Sequence, residues 1–156
     1  MNDQVSVEVL PVRVDAAGVW RYRRLTARLG GESPDQAARR SAGVPAGDAF
    51  TVVHSTSWRY RPQGQIILTY VVCPDPWPLL PATELESLRL ATGAAPETPA
   101  PEHIHLDNVV AHALRHLAYL LENDRVVAAA LAGHPEVTRA LDPLSRELAE
   151  QLAGVH

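Results

Sequence analysis

The chain contains no lysine. All fourteen of its basic side chains are arginine, a usage that, with abundant Ala and Pro, points to a GC-rich bacterial genome and so to codons rather than to function. Cysteine is almost missing as well. Cys73 stands alone, which excludes an internal disulfide and a cysteine-based zinc site and fits a reducing compartment. Long apolar runs are absent: VVAAALA at 126–132 is the longest, far short of the roughly twenty residues that cross a bilayer. The opening MNDQVSVEVL has neither the basic nor the apolar region of a secretory signal. A cytoplasmic protein without membrane attachment is therefore expected. No basic run resembles a nucleic-acid-binding tail, so no nucleic acid partner is expected either. The P-loop, G-x-G-x-x-G, G-x-S-x-G and H-E-x-x-H patterns do not occur, which removes the phosphate-binding, serine-hydrolase and zinc-protease chemistries those motifs carry.

What is present suits one domain over 1–156 with a core of ordinary size: 156 residues, 46 % apolar and 21 % charged. The charge is uneven. Residues 1–62 hold nine Arg against six acids, a net of +3, and residues 63–156 hold five Arg against twelve acids, a net of −7. An arginine-bearing half favours phosphate or carboxylate ligands.

The order of elements predicts an α+β fold. QVSVEVLPVRVD (4–15) reads as a strand in which Pro11 implies an edge or a bulge. GVWRYRRLTARL (18–29) holds a second β-prone segment, and SPDQAARRSAG a short helix. Ser33 can cap that helix, Pro34 fits its first position, Gln36 completes a capping box, and Gly43 with Pro45 stops it. AFTVVHSTSWRYR (49–61) and QIILTYVVC (65–73) predict a hairpin across a PQG turn, its second strand central. WRYR occurs at 20–23 and again at 58–61, placing aromatic and arginine side chains on alternate faces of two strands. Residues 74–101 carry seven of the thirteen prolines and read as a rigid loop, a short helix in TELESLRLA and a linker. The C-terminal part, 106–154, is helical, with Asp107 capping a helix to about Leu121, Asn123 or Asp124 capping the next, and Asp142 with Pro143 starting the last. Strands come first and helices follow, with one helix inserted.

GESPDQAARR (31–40) carries a resemblance. It is similar to the first half of the Nudix box of the Nudix hydrolases, G-x5-E-x7-R-E-U-x-E-E-x-G-U with U bulky and apolar. Glu32 takes the first Glu, Arg40 the Arg after an interval of seven, and Gly47 the last Gly. The bracketing strands resemble those of the family, so the likeness covers about residues 5–75 and implies a mixed sheet in α/β/α layers. The box is degenerate: Thr26 replaces the leading Gly, Ser41 the Glu after the Arg, and Val44 and Pro45 the later Glu pair. In the family those carboxylates hold divalent cations against a pyrophosphate, which demands converging hard oxygen ligands. The resemblance thus implies a domain that has lost pyrophosphohydrolase activity but binds a nucleotide or other phosphorylated small molecule through Arg21, Arg23, Arg39, Arg40, Arg59 and Arg61.

Two other expectations stand beside it. One is a hydrolase of nucleoside diphosphate derivatives using Mg or Mn, with Glu32 as its residual catalytic and metal candidate and Asp35, Asp48 or a late-loop acid, Glu97 or Glu102, in support. The other is a homo-oligomeric or partner-binding protein without a small ligand, using the C-terminal helices. HIHLDNVVAHALRH (103–116) holds four His. His112 and His116, four apart, share a helical face and are weak metal candidates with Asp107 or Glu102, and that face points away from Leu106, Val110, Leu114, Leu117 and Leu121. His54, Ser55 and Ser57 alternate along a strand as hydrogen-bonded polar positions, and Trp77 between two prolines either stacks on a base or ring of a ligand or, as is more usual, pins its loop to the core.

Overall fold

Ten consecutive β-prone residues form the centre of the fold. In the computed structural model, which describes residues 5–86 and 101–153, β1 (Val5–Val14) is buried from Val7 to Val12. Side chains alternate between the faces of a strand. Val7 and Val9 accordingly join one apolar cluster, and Leu10 and Val12 the other. The chain continues through β2 (Trp20–Tyr22), β3 (Leu25–Arg28), α1 (Pro34–Ala42), β4 (Val52–Arg61), β5 (Gln65–Cys73) and β6 (Thr83–Glu84). Helices α2 (Pro101–Asn123), α3 (Arg125–Leu131) and α4 (Pro135–Ala153) follow. The architecture is α+β: a mixed six-stranded sheet of order β4-β5-β1-β2-β6, with β3 also beside β1, and a helical C-terminal part. β1 runs parallel to β5 and antiparallel to β2 and β3.

Helix α1 covers the Val7 and Val9 face through Ala37, Ala38 and Ala42, with Val44 after its end. It is terminated as its sequence demands. The Ser33 hydroxyl accepts from Gln36 N while the Gln36 side chain accepts from Ser33 N, and Gly43 closes the helix at φ 79°. The opposite face, with Leu10, Val12, Trp20, Val71 and Cys73, packs under Val110, Leu114 and Leu117 of α2 and Leu141 of α4. The β4–β5 hairpin forms across the Pro62–Gly64 turn, and β5 is internal as expected.

Several boundaries differ from the sequence expectation. Pro11 lies in the central strand, not at an edge. It sits where the neighbour of β1 changes from β3 to β2, and its carbonyl accepts from Arg23 N at 2.9 Å. The start of TELESLRLA is strand β6 rather than helix, Leu85 and Glu86 follow it without regular structure, and the rest, with Glu97 and the expected linker, lies outside the described residues. Asp107 does not cap α2, which begins at Pro101. Its buried carboxylate accepts from the Tyr22 hydroxyl (2.9 Å) and Glu86 N (3.3 Å), a tertiary use that competes with capping. Helix α4 starts at Pro135 and runs through Pro143. Val137, Leu141 and Leu144 form one buried stripe across that proline, so packing outweighs its missing hydrogen bond. Asp124 caps α3 by accepting from Val126 N and Val127 N.

Candidate functional site

The box-like segment is held by charge pairs. Arg40 donates from Nε and Nη2 to Glu32 Oε1 at 2.9 and 2.6 Å, so the two residues matched across an interval of seven meet directly. Arg40's hydrogen bonds hold the Glu32 carboxyl below the usual carboxylate range, against a smaller opposing effect of desolvation. Asp35 accepts from Arg39 Nε at 3.0 Å. Asp48 accepts from Phe50 N (2.7 Å) and the Thr51 hydroxyl (3.2 Å), closing the loop into β4. Each carboxylate has its own partner. Among the described residues no group of three or more His, Cys, Asp or Glu is arranged to hold a metal, so the Mg or Mn cluster expected around Glu32 is not assembled from them. Two of the substituted box positions are telling: Val44 is 5 % exposed in the core beneath α1, and Pro45 follows the end of the helix.

His112 and His116 do share one face of α2, but it lies against β4 rather than pointing freely away. The Ser55/Ser57 register shift leaves Thr56 without a partner in the pairing with β5, and His112 Nε2 donates to its carbonyl at 3.2 Å. The His116 ring lies 5.6 Å from that of His54 and 6.3 Å from Tyr119. Desolvation lowers the His116 pKa, with further lowering from the charges of His54 and His112. This is packing between a helix and an edge strand. Glu102 falls within α2, but its side chain, like those of 103–105, lies outside the described set. Trp77 does pin its loop: its indole N–H donates to the Ala42 carbonyl at 3.2 Å.

Two buried carboxylates sort the arginines between the sheet's faces. On the α1 side, Asp75 accepts both donors of an Arg23 fork at 2.8 Å, Arg13 Nη1 at 3.2 Å and Trp77 N at 2.8 Å. On the other side Glu8, fully buried in β1, accepts Arg59 Nη1 and Nη2 at 2.9 Å, Arg24 Nε at 2.7 Å and the Thr69 hydroxyl at 2.9 Å. Burial raises the Glu8 pKa, but the hydrogen bonds from Arg59 and Arg24 outweigh it and hold the carboxyl at about 2. Arg21 pairs with Asp15 (3.1 Å) and Glu84 (3.7 Å) at the far end of the sheet.

The six arginines expected to bind a ligand therefore do not share one cleft. Arg21 and Arg23 serve β2 and its loops, and Arg39 and Arg40 brace α1. Only Arg59 and Arg61 lie on the Glu8 side, at the end of the sheet where β1 and β5 begin. There Ser6, Glu8, Arg24, Thr26, Arg28 and Arg61 line a basin of about 300 Å³. Arg28 and Arg61 are exposed, and their side chains have no hydrogen-bond or ion-pair partner among the described residues. Glu8, Arg24 and Arg28 belong to this site but to no position of the box-like segment. One signal was available: VSVEVL sets a lone acid inside an apolar strand, where an ionised group survives only if it is paired.

No protein family, curated protein or solved structure matches the chain.

Proposed function

We propose that the chain is a Nudix-like domain that has lost pyrophosphohydrolase activity and binds a phosphorylated small molecule in the Glu8 basin. The observation that carries this reading is the pair of unpartnered guanidinium groups, Arg28 and Arg61, beside a floor whose charge is already satisfied. Arg24, Arg28, Arg59 and Arg61 set four positive groups against the single carboxylate of Glu8, a local net of +3. A phosphate offers the multiple anionic oxygens that guanidinium forks match. The Nudix-like part is supported by the inserted capped helix and by the direct Glu32–Arg40 contact at the two box positions that agree. Loss of catalysis is supported by an apolar core residue, Val44, where the pattern calls for a metal-binding Glu.

Calorimetry of the intact chain with phosphorylated compounds, in the absence of divalent metal, tests the proposal. Binding that weakens in Arg28→Ala and Arg61→Ala but not in Arg40→Ala is the expected result. Turnover of nucleoside diphosphate derivatives with Mg or Mn that disappears in Glu32→Gln would instead establish the hydrolase reading. A specific feature also favours self-association: β4 is an edge strand bearing Trp58 and Tyr60, 60 % and 67 % exposed. Light scattering that gives the monomer mass at high concentration would reject that reading.

A further inference from the structure

The composition of the basin narrows what fills it. We infer that the ligand is a phosphorylated sugar or polyol carrying no aromatic base, an assignment that rests on the basin being a phosphate site. Recognition of a nucleobase ordinarily stacks the base on an aromatic side chain. Among the described residues no aromatic side chain lines the basin. The nearby aromatics are directed elsewhere. Trp58 and Tyr60 are in register with Leu68 and Ile66, on the opposite face from Ile67 and Ser6, while Trp20 and Tyr22 are 5 % and 2 % exposed within the core.

Arg24 and Arg59 are committed to the Glu8 carboxylate by short hydrogen bonds. Glu8 itself receives four hydrogen bonds, two on each oxygen, so it has no acceptor left to read an exocyclic amine. What the lining offers a ligand is the guanidinium groups of Arg28 and Arg61, the hydroxyls of Ser6 and Thr26 and the Gln65 amide. Ser6 of β1 is in register with Arg28 of β3, and Thr26, the neighbour of Glu8 in that pairing, lies on the same face. Hydroxyls both donate and accept, which suits the alternating hydroxyls of a polyol. The volume, about 300 Å³, sits at the small end of ligand sites and suits a single sugar ring with its phosphate.

The geometry also gives each group a task. Arg28 and Arg59 lie on strands flanking β1 and β5, three strand spacings or about 14 Å apart. Arg61, two residues beyond Arg59, closes the same end. The phosphate would be held between Arg28 and Arg61, with the sugar lying over Ser6 and Thr26.

Titration calorimetry of the full chain, without metal, with inorganic phosphate, glucose 6-phosphate and AMP decides the matter. Glucose 6-phosphate is expected to bind about tenfold or more tightly than phosphate, and AMP no more tightly than phosphate. Thr26→Ala should weaken glucose 6-phosphate alone, whereas Arg28→Ala should weaken it and phosphate alike. Circular dichroism of both variants, each altered at an exposed side chain, checks that they fold. AMP binding tenfold tighter than glucose 6-phosphate would overturn the assignment and leave the basin as a phosphate site. Equal affinities for all three would likewise overturn it. Absence of binding by all three would overturn the basin reading itself.

Discussion

Glu8→Gln is the perturbation that tests the centre of this structure most directly. The substitution preserves shape and removes the charge that Arg24 and Arg59 share. In the folded chain the Glu8 carboxyl titrates at about 2 against an ordinary 4.5, a displacement of about 2.5 pH units. At about 1.4 kcal/mol per unit this corresponds to about 3.5 kcal/mol favouring the ionised, paired form. Solvent reaches the side chains of Arg24 and Arg59, 35 % and 23 % exposed, which reduces the expected loss to about 2–3 kcal/mol. For a chain of this length the melting temperature should fall by roughly 5–10 °C at pH 7.

The pH dependence makes the test specific. Because the folded pKa lies below the unfolded one, the unfolded chain takes up the proton first as pH falls. The Glu8 contribution is complete above about pH 4.5 and is lost progressively toward pH 2. Urea titrations of both proteins at pH 7, 5, 4 and 3 should show a stability gap that is constant down to pH 5 and then narrows. The other carboxylates titrate in both proteins, so the difference isolates Glu8. A gap below about 0.5 kcal/mol at pH 7, within the ordinary range for a surface substitution, would refute the argument. So would a gap that keeps its size down to pH 3.

Asp75→Asn removes the charge facing the Arg23 fork and Arg13; we expect a loss of about 3 kcal/mol in urea denaturation and a red shift of Trp77 emission as its loop loosens. Gly43→Ala places a Cβ 2.8 Å from Trp77 Nε1 at a residue whose φ is +79°. Strain and the disturbed Trp77–Ala42 hydrogen bond should together cost about 1–3 kcal/mol, read as a lower thermal midpoint. Asp124→Ala leaves Val126 N and Val127 N without their cap and should cost about 1 kcal/mol, whereas Asp124→Ser should retain most of the stability.

Features set by a few neighbouring residues were readable from the sequence. The Ser33–Gln36 box, the Gly43 stop, the Asp124 cap and the Pro62–Gly64 turn depend on short-range geometry, and each formed as its residue types require. Features set by distant partners were not. Asp107 and Asn108 stand beside each other in sequence, yet only the proximity of Tyr22, 85 residues away, explains why Asp107 lies buried inside α2 instead of at its start. Pro143 resembles a helix start until the buried stripe through Leu141 and Leu144 is known. The same limit applies to the site: residue type nominates an arginine for anion binding, but its partner determines whether the charge is available.

The arginine surplus shows what that partner relation adds. Residues 1–62 contain nine arginines and six acids, a count that assigns the excess to no particular side chain. Glu8 engages Arg24 and Arg59, Asp75 engages Arg13 and Arg23, and Asp15, Glu32 and Asp35 engage Arg21, Arg40 and Arg39. Asp48 is occupied by Phe50 N and Thr51. Seven of the nine arginines are thereby paired, one acid from beyond residue 62 taking two of them. Arg28 and Arg61 remain, and both line the basin. A surplus spread at random over the surface would leave its unpaired members apart. Here β3 and β4 bring them to the same end of one face, on either side of a carboxylate already saturated by two other arginines. A free-standing Glu8 would neutralise an incoming phosphate site; a paired one leaves the positive charge of Arg28 and Arg61 available to the ligand.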